Sequence, residues 1–326
     1  MRIIFMGTPD FSVPTLESLI QSRHQVIGVV TQPDKPKGRG KEISMSPVKE
    51  TAQKHHIPVY QPVRARESSF VEEMRSLEPD VMVVIAFGQI LSREFLEIPK
   101  YGCINIHASL LPAYRGAAPI QWAVINGDKE TGLTTQMMDV GIDTGDILET
   151  VVVPLDEKET GGSLFDRLSL LGGDLILTTL DKLENGTLVR TPQDHEKATH
   201  VKKIPKSMGE IDWTMDAVSI ERLIRGLNPW PSAYTHWNGK MLKIWEADVI
   251  SESGETADGL SQGGDAARAA ECGRVLEAAG DSLKIQTGNG ILKINSLQLE
   301  GKKRMDTAAF LRGYPVEPGC MMERSE

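Results

Sequence analysis

The chain has 326 residues, of which 40% are hydrophobic and 25% charged, a composition ordinary for a globular protein with room for two domains. No apolar run approaches the roughly 18 residues of a membrane helix, and three scattered cysteines are too few for a disulfide framework or a zinc site built on thiols. The net charge of −9 argues against a nucleic-acid partner. Such a partner could bind only at local basic stretches of the surface. We expect a cytoplasmic protein with reduced thiols and no membrane association.

The first 150 residues alternate short apolar runs with longer amphipathic segments. This pattern is typical of the α/β class, in which helices cover a mostly parallel sheet. The predicted strands are Arg2–Met6, Gln25–Thr31, Asp80–Ala86, Gly102–His107 and Leu133–Val140. A helix is predicted to begin at Ser46-Pro47, because serine can cap the first turn and proline fits the first helical position.

A long helix is predicted at the end of the first domain. The segment 161–186 is apolar at helical spacing and stops at Asn185-Gly186, where glycine can end a helix. The polar, unpatterned stretch that follows predicts a linker. We therefore predict a first domain over 1–189, a linker over 190–207 and a second domain over 208–326.

The second domain has a different texture. One amphipathic helix, "DAVSIERLIRGL", precedes five short β-rich pieces separated by glycine or asparagine turns. Five short strands in about a hundred residues favour a small barrel of the oligonucleotide-binding type, with a sandwich as the alternative. The stretch 250–272 carries five acidic residues and one basic residue, and we predict a flexible excursion from a hairpin there.

Two polar residues lie on the predicted strand 102–107 and share one of its faces. In an extended chain side chains alternate, so Asn105 and His107 point the same way while Ile104 and Ile106 point the other way. Ligands bind outside the carboxyl ends of strands in open α/β sheets. Although a histidine near a strand end is more often structural, this placement predicts that the pair opens onto a binding crevice.

An acidic, glycine-rich motif, "MMDVGIDTGDIL", lies after the next predicted strand and contains Asp139 and Asp143. Aspartate beside glycine is usually turn chemistry. Combined with Asn105 and His107, however, it completes a set suited to acyl transfer to an amine. Asparagine can donate to an oxyanion, histidine can take the amine proton or donate to the oxyanion, and aspartate can orient the histidine.

Other chemistries fit the sequence poorly. The opening "MRIIFMGTPDFSVP" has Thr8, Pro9 and Asp10 where a dinucleotide fingerprint needs glycines, and it offers no glycine-rich nest for a substrate phosphate. The seven histidines show no metal-ligand spacing. Since no nucleophile elbow is present, direct transfer is favoured over an acyl-enzyme.

Several motifs in one order resemble the enzymes that use 10-formyltetrahydrofolate as formyl donor. The signature is "NIHASLLPAYRGAAPIQWAVI" followed by "MDVGIDTGDIL". The opening segment, the loop "TQPDKPKGRGKEISMSPVKE" and "GLNPWPSAYT" narrow the resemblance to the branch that formylates methionine on initiator tRNA. The resemblance runs from Met1 to about Gly319 and leaves 250–272 and the tail 320–326 outside.

The resemblance implies a Rossmann-like amino-terminal domain, a carboxy-terminal oligonucleotide-binding barrel that contacts tRNA, and a folate co-substrate with no metal. It implies the catalytic residues Asn105, His107 and Asp143. The folate site would include Ser109, Leu110, Leu111 and Pro112, with the apolar stretch 87–91 as a wall of the pterin pocket. It also implies initiator methionyl-tRNA as the partner of a monomeric enzyme.

The loop after the second predicted strand is the most basic stretch of the first domain. It leaves the same sheet edge as the asparagine–histidine pair, and its prolines and glycines keep it from forming a helix. A solvated surface loop is the simpler interpretation from composition alone. The resemblance assigns Arg39, together with Lys41, to contact with the tRNA acceptor arm.

Two further functions remain open at this point. A formyltransferase acting on a small amine, such as glycinamide ribonucleotide or an amino-sugar nucleotide, would share the Asn–His–Asp set. For the ribonucleotide a phosphate nest after the first strand is missing, and neither substrate explains the second domain. A non-enzymatic RNA-binding module with a vestigial pocket is disfavoured by the complete set.

Overall fold

The computed structural model describes residues 1–37, 42–250 and 271–324. The chain forms two compact units. The first comprises Met1–Pro119, Glu130–Pro154 and Ser163–Lys202, and the second comprises Ile120–Lys129, Leu155–Gly162 and Lys203–Glu326. Two short segments before residue 189 therefore group with the second unit, an interleaving that the predicted linear division at 189 and 208 does not express.

Buried strands build the first unit around one large sheet. Its strands and the smaller pairs are β1 Arg2–Gly7, β2 Gln25–Val30, β3 Lys35–Lys37, β4 Glu42–Ser44, β5 Val59–Tyr60, β6 Val81–Ile85, β7 Cys103–His107, β8 Arg115–Gly116, β9 Glu130–Met137, β10 Ile147–Pro154 and β11 His200–Val201. Among the described residues, seven of them form the order β10-β9-β7-β6-β1-β2-β5. β6 is buried along its whole length, as expected for a strand covered on both faces.

Helices connect these strands. In chain order they are α1 Val13–Gln21, α2 Pro47–Lys54, α3 Ser68–Ser76, α4 Arg93–Leu96, α5 Pro119–Asn126 and α6 Gly161–Glu184. The predicted start of α2 is confirmed, because the Ser46 hydroxyl accepts a hydrogen bond from the Lys49 amide at 3.1 Å. The predicted long helix is also confirmed as α6, and Gly186 follows it with a φ of +69°.

The mostly parallel sheet is confirmed, with one correction at its end. β1, β2, β5, β6 and β7 pair in parallel, whereas β9 runs antiparallel to β7 and β10 antiparallel to β9. The predicted strand Leu133–Val140 is shifted, since β9 ends at Met137, and β10 was not predicted. An apolar run predicts a buried strand but carries no information about its direction.

The second unit contains an antiparallel sheet with helices against it. Its further elements are α7 Ala217–Gly226, β12 Ala233–Trp237, β13 Lys240–Ile250, β14 Val275–Ala279, β15 Ser282–Gln286, β16 Ile291–Leu299, β17 Met305–Asp306 and α8 Thr307–Gly313. The strands follow the order β12-β13-β16-β15-β14, and β17 pairs with β16. The predicted helix and all five predicted strands are present, and their apolar faces share one core.

The carboxy-terminal tail joins the two edges of this sheet. Glu323 exchanges backbone hydrogen bonds with His236 of β12, at 2.8 and 2.9 Å. At the other edge, the Val275 amide of β14 donates to the Cys320 carbonyl at 2.8 Å. The sheet is therefore closed by the tail, which supports the barrel over the sandwich, and a segment outside the resemblance has a structural role.

Removing this tail is expected to destabilise the protein. A chain ending at Pro318 loses the closing hydrogen bonds and the side chain of Met322, which is 3% exposed. We expect the thermal midpoint to fall by more than roughly 5 °C, because these contacts are together worth a few kcal/mol. A chain ending at Arg324 is the matched control. Circular dichroism melting would contradict the closure if the two truncated chains melted together.

Candidate active site

The carboxyl end of β7 carries the predicted polar pair. Asn105 pairs with Val84 of β6 on one side and with Gln136 of β9 on the other, while His107 pairs with Thr134. Ile104 and Ile106 are buried. Because alternate residues share a face, Asn105 and His107 lie on the same side of the sheet, as predicted from their spacing.

A hydrogen bond to one ring nitrogen and a carboxylate near the other position the His107 ring. Its Nε2 donates to the Tyr114 carbonyl at 2.9 Å, and its Nδ1 lies 3.6 Å from Asp143 Oδ1. The His107 side chain is only 7% exposed. Since a carbonyl can only accept, this arrangement places a proton on Nε2, and the carboxylate faces the nitrogen on the other side of the ring.

Asp143 is held by its backbone and its carboxylate. Its φ is +54°, the left-handed region that aspartate tolerates better than most residues. Oδ2 accepts from the Gly116 amide at 2.8 Å, and Oδ1 accepts from Gln136 Nε2 at 2.8 Å. The carboxylate is thus fixed in orientation beside His107.

The two aspartates of the glycine-rich motif have different roles. Asp139 Oδ1 accepts from the Gly141 amide at 2.9 Å and from the Thr144 hydroxyl at 2.6 Å. This is local turn chemistry within the loop. Asp143, in contrast, reaches the β7 histidine.

The loop 138–146 folds back over the sheet. β9 ends at Met137 opposite Ile104, at the amino end of β7, because the two strands are antiparallel. The Met137 amide donates to the Asp146 carbonyl at 2.9 Å, which ties the two ends of the loop together. The return of the loop, rather than a shared strand edge, brings Asp143 to His107.

The side-chain amide of Asn105 has no hydrogen-bond partner among the described residues. Its cross-strand neighbour Gln136 donates to Asp143, yet Gln136 Oε1 is buried without a partner in that part of the chain. An amide that is not committed to the protein can donate to a substrate oxygen. Asn105 is therefore available for the oxyanion role.

The four residues assigned to folate contact form a tight turn beyond β7. Ser109 is fully buried, and its hydroxyl donates to the Ala113 carbonyl at 2.6 Å. Leu111 is also buried, whereas Leu110 and Pro112 are partly exposed. Ser109 and Leu111 thus shape the turn, and direct contact with a ligand would come from Leu110 and Pro112.

Two residues of the stretch 87–91, Phe87 and Leu91, belong to the core. Phe87 is 2% exposed and packs with Leu91 in the core against β6 and β7, while Ile90 is exposed. The Phe87 carbonyl accepts from Thr8 Oγ1 at 3.3 Å and from Gln32 Nε2 at 3.1 Å. These bonds join the loops after β1, β2 and β6, so Phe87 stabilises the sheet edge from inside.

Arg39 and Lys41, assigned to tRNA contact, lie outside the described residues. The chain before them is anchored at Asp34, which accepts from Lys49 Nζ at 2.6 Å and from Gln61 Nε2 at 2.8 Å. The hydrogen bonds from Lys49 and then Gln61 hold the pKa of Asp34 below its ordinary value. Lys49 is therefore committed to the base of the loop.

Sequence reasoning missed three residues that contact this site. Gln136 lies on β9 and bonds the Asp143 carboxylate, Gln193 bonds the loop backbone, and the buried Arg115 bonds Gln193. The register that sets Gln136 beside Asn105 is not visible in a single sequence. Gln193 lies in the polar segment predicted to be a linker, where no pattern distinguishes it.

Metal and thiol chemistry find little support in the described part of the chain. Nowhere in that part do three or more His, Cys, Asp or Glu side chains come together as a metal site. Burial raises the pKa of the Cys103 thiol, which lies on β7 two residues before Asn105. A buried neutral thiol is a poor nucleophile.

Comparison with known proteins gives the class. A family model described as "Formyl transferase" matches residues 1–180, and one described as "Formyl transferase, C-terminal domain" matches 203–315. An N-formyltransferase from Helicobacter canadensis, solved with folinic acid and dTDP-3-aminofucose, shares the fold with a TM-score of 0.65 at 18% identity, over 93% of this chain and 99% of that one. The chain therefore has the fold and the two matched domains of a formyl transferase.

Closer relatives narrow the class. A methionyl-tRNA formyltransferase from Agathobacter rectalis is 56% identical over 98% of this chain and 98% of its own length. One from Clostridioides difficile is 46% identical over 99% of this chain and all of its own length. This chain belongs to the methionyl-tRNA formyltransferase family.

Proposed function

We propose that this chain transfers the formyl group of 10-formyltetrahydrofolate to the α-amino group of methionine carried by initiator tRNA, for translation initiation. The observation that carries the proposal is the placement of Asn105 and His107 on one face of β7, with Asp143 Oδ1 at 3.6 Å from His107 Nδ1. The identity of 56% and 46% to two methionyl-tRNA formyltransferases, over nearly the whole chain, supports methionyl-tRNA as the substrate.

We propose that folate binds at the turn beyond β7. Partly exposed Leu110 and Pro112 offer apolar surface within five residues of His107. Bound there, 10-formyltetrahydrofolate would supply the formyl carbon. Asn105 would donate to the formyl oxygen as negative charge develops on it. No metal is required, because amide and imidazole donors stabilise that charge.

His107 would handle the proton of the attacking amine. The α-amino group must be neutral to form the new C–N bond, so a group that takes its proton lowers the barrier. In the structure Nε2 carries a proton and donates it to the Tyr114 carbonyl. To take the amine proton, Nε2 must lose that carbonyl to the substrate, and the ring must carry its own proton on Nδ1, where the Asp143 carboxylate can accept it. Asp143, facing Nδ1, stabilises the imidazolium that forms.

One assay tests the proposal against its alternatives. A labelled formyl donor is offered with charged initiator tRNA, free methionine, glycinamide ribonucleotide or an amino-sugar nucleotide. We expect label in the methionyl ester of the tRNA alone. Transfer only to a small amine would replace the proposal, and binding of tRNA without transfer to any acceptor would indicate an RNA-binding module.

The second unit supports tRNA contact. Trp245 on β13 has two cations near its ring, with Lys243 Nζ at 5.6 Å and the Arg304 guanidinium at 5.3 Å from the ring centroid. An aromatic ring among cations suits stacking and phosphate contact with RNA. We propose this surface as part of the tRNA-binding face of residues 208–326.

We further propose a monomeric enzyme that acts in the cytoplasm. Within the described ranges, none of the helices combines the length and hydropathy that crossing a lipid bilayer needs. The acceptor, a charged tRNA, is consumed where translation starts. Light scattering at micromolar concentration would overturn the monomer if it gave twice the chain mass of 35.8 kDa.

Replacing Arg39 with alanine is expected to weaken formylation of tRNA. A guanidinium can contact a phosphate or base edge with a planar fork, and its loss should cost roughly 1–3 kcal/mol in kcat/KM for tRNA. Folate binding should not change. Lys54→Ala, at the far end of α2, is the control, and tryptic cleavage of the loop should slow when initiator tRNA is added. Normal formylation by Arg39→Ala, or no protection by tRNA, would remove this loop as the recognition element.

A further inference from the structure

Gln193 clamps the backbone of the loop that carries Asp143. Its Nε2 donates to the Asp143 carbonyl at 2.9 Å and to the Gly145 carbonyl at 2.7 Å. The side chain is 6% exposed, so these bonds are not shared with bulk water. Both N–H groups of one amide are thus used on the two residues flanking Thr144.

A buried arginine sets the direction of this amide. Arg115 is 3% exposed, and its Nε and Nη2 both donate to Gln193 Oε1, at 3.0 and 2.7 Å. Turning the amide around would set its N–H groups against the guanidinium. Because Arg115 has only donors, Gln193 must present its oxygen to Arg115 and its N–H groups to the loop.

Asp143, whose carbonyl accepts from Gln193, has a strained backbone. Asp143 has a φ of +54°, a conformation that is strained for a non-glycine residue and persists only where its surroundings stabilise it. The residue after Arg115, Gly116, donates its amide to the Asp143 carboxylate at 2.8 Å. Strand β8 therefore acts on Asp143 directly through Gly116 and indirectly through Arg115 and Gln193.

We propose that Gln193, oriented by Arg115, is a positioning residue that keeps the Asp143 carboxylate beside His107. The inference rests on the proposed function for its activity measurement only. Gln193, which lies in the polar segment after α6, thereby acts in the site. Displacing a reacting group by about 1 Å can cost a hundredfold in rate, so a clamp of this kind carries a measurable effect.

Gln193→Glu is the sharpest variant. Glutamate has the same shape and still accepts from Arg115, so the fold should persist, but it faces the two loop carbonyls with an acceptor instead of donors. We expect kcat to fall about tenfold to a hundredfold with little change in KM for the formyl donor. Deuterium exchange over residues 139–148 should become faster in the intact protein.

A glutamine in the second unit, which makes the same kind of hydrogen bonds, supplies the matched control. Gln286 Nε2 donates to the Thr287 and Gly290 carbonyls, at 3.0 and 3.3 Å, far along the chain from the site. Gln286→Glu reverses the same kind of bonds, and we expect kcat within twofold of the unmodified protein. Gln193→Leu, which removes both kinds of bond, should resemble Gln193→Glu in kcat while melting at a lower temperature.

A double-variant cycle separates positioning from general stability. If Gln193 acts through Asp143, adding Gln193→Glu to Asp143→Asn should lower the remaining turnover by less than threefold. Additive losses, or unchanged exchange over 139–148 in Gln193→Glu, would overturn the proposal. Should the unmodified protein fail to formylate tRNA, the proposed function fails, while the exchange measurement still decides whether Gln193 holds the loop.

Discussion

Replacing His107 with alanine or glutamine is expected to lower turnover by at least about a hundredfold, because either change removes the imidazole that handles the amine proton. Glutamine is the more informative variant. Its amide can still donate to the Tyr114 carbonyl, which accepts from His107 Nε2 at 2.9 Å. A loss in both variants therefore reports on chemistry rather than on an orphaned carbonyl.

Replacing Asn105 with alanine is expected to have a loss of similar size, since removal of one oxyanion donor costs about a hundredfold or more. The fold should survive, because the side-chain amide of Asn105 has no hydrogen-bond partner among the described residues. Thermal melting checks this directly.

His55→Ala is the control for the histidine variants. His55, the residue after α2, forms a more exposed pair with Glu17 of α1, at 3.1 Å between Nε2 and Oε2. We expect its turnover to equal that of the unmodified protein. The catalytic assignment would be lost if His107→Gln and Asn105→Ala kept near-normal turnover with the labelled formyl donor and charged initiator tRNA.

The sequence predicted which segments form strands and helices better than it predicted the direction in which each strand runs in the sheet. Continuous apolar runs such as Val81–Ile85 identify buried strands, because a strand covered on both faces has no polar side. The reversal of β9 and the presence of β10 depend on pairing between distant segments. A single sequence carries no signal for that pairing.

The site was predictable where it depended on local spacing. Asn105 and His107 share a face because they are two residues apart on one strand. Their proximity to Asp143 was implied by family resemblance, but the geometry arises from a loop that folds back. Gln136 and Gln193 could not be predicted, since their roles depend on strand register and on a buried arginine.

The barrel was predictable as a class but not in its closure. Glycine and asparagine turns mark its strands, whereas the tail that joins β12 to β14 looks like an unpatterned end of the chain. Backbone pairing of this kind needs few specific side chains. A segment can therefore be structural without any visible sequence motif.

Replacing Asp143 with asparagine is expected to lower turnover by at least about a hundredfold while leaving folate binding and melting temperature nearly unchanged. The same exchange in a Ser–His–Asp triad costs about 10⁴-fold, because an amide does not stabilise an imidazolium. The Asp143 carboxylate accepts from both Gly116 and Gln136, at 2.8 Å each. An amide at this position has one acceptor oxygen, which can keep the bond from Gly116.

The second bond can be repaired by Gln136. Its Oε1 is buried without a partner in the described part of the chain, so turning the Gln136 amide presents that oxygen to the new N–H group. Asp143→Asn thus removes the charge beside His107 Nδ1 and keeps the hydrogen-bond frame. Asp139→Asn is the control, because Asp139 serves only the turn through Gly141 and Thr144, and its turnover should stay within about twofold. Comparable losses in both variants, or a full rate and unchanged pH profile for Asp143→Asn, would show that the His107–Asp143 pair does not drive the reaction.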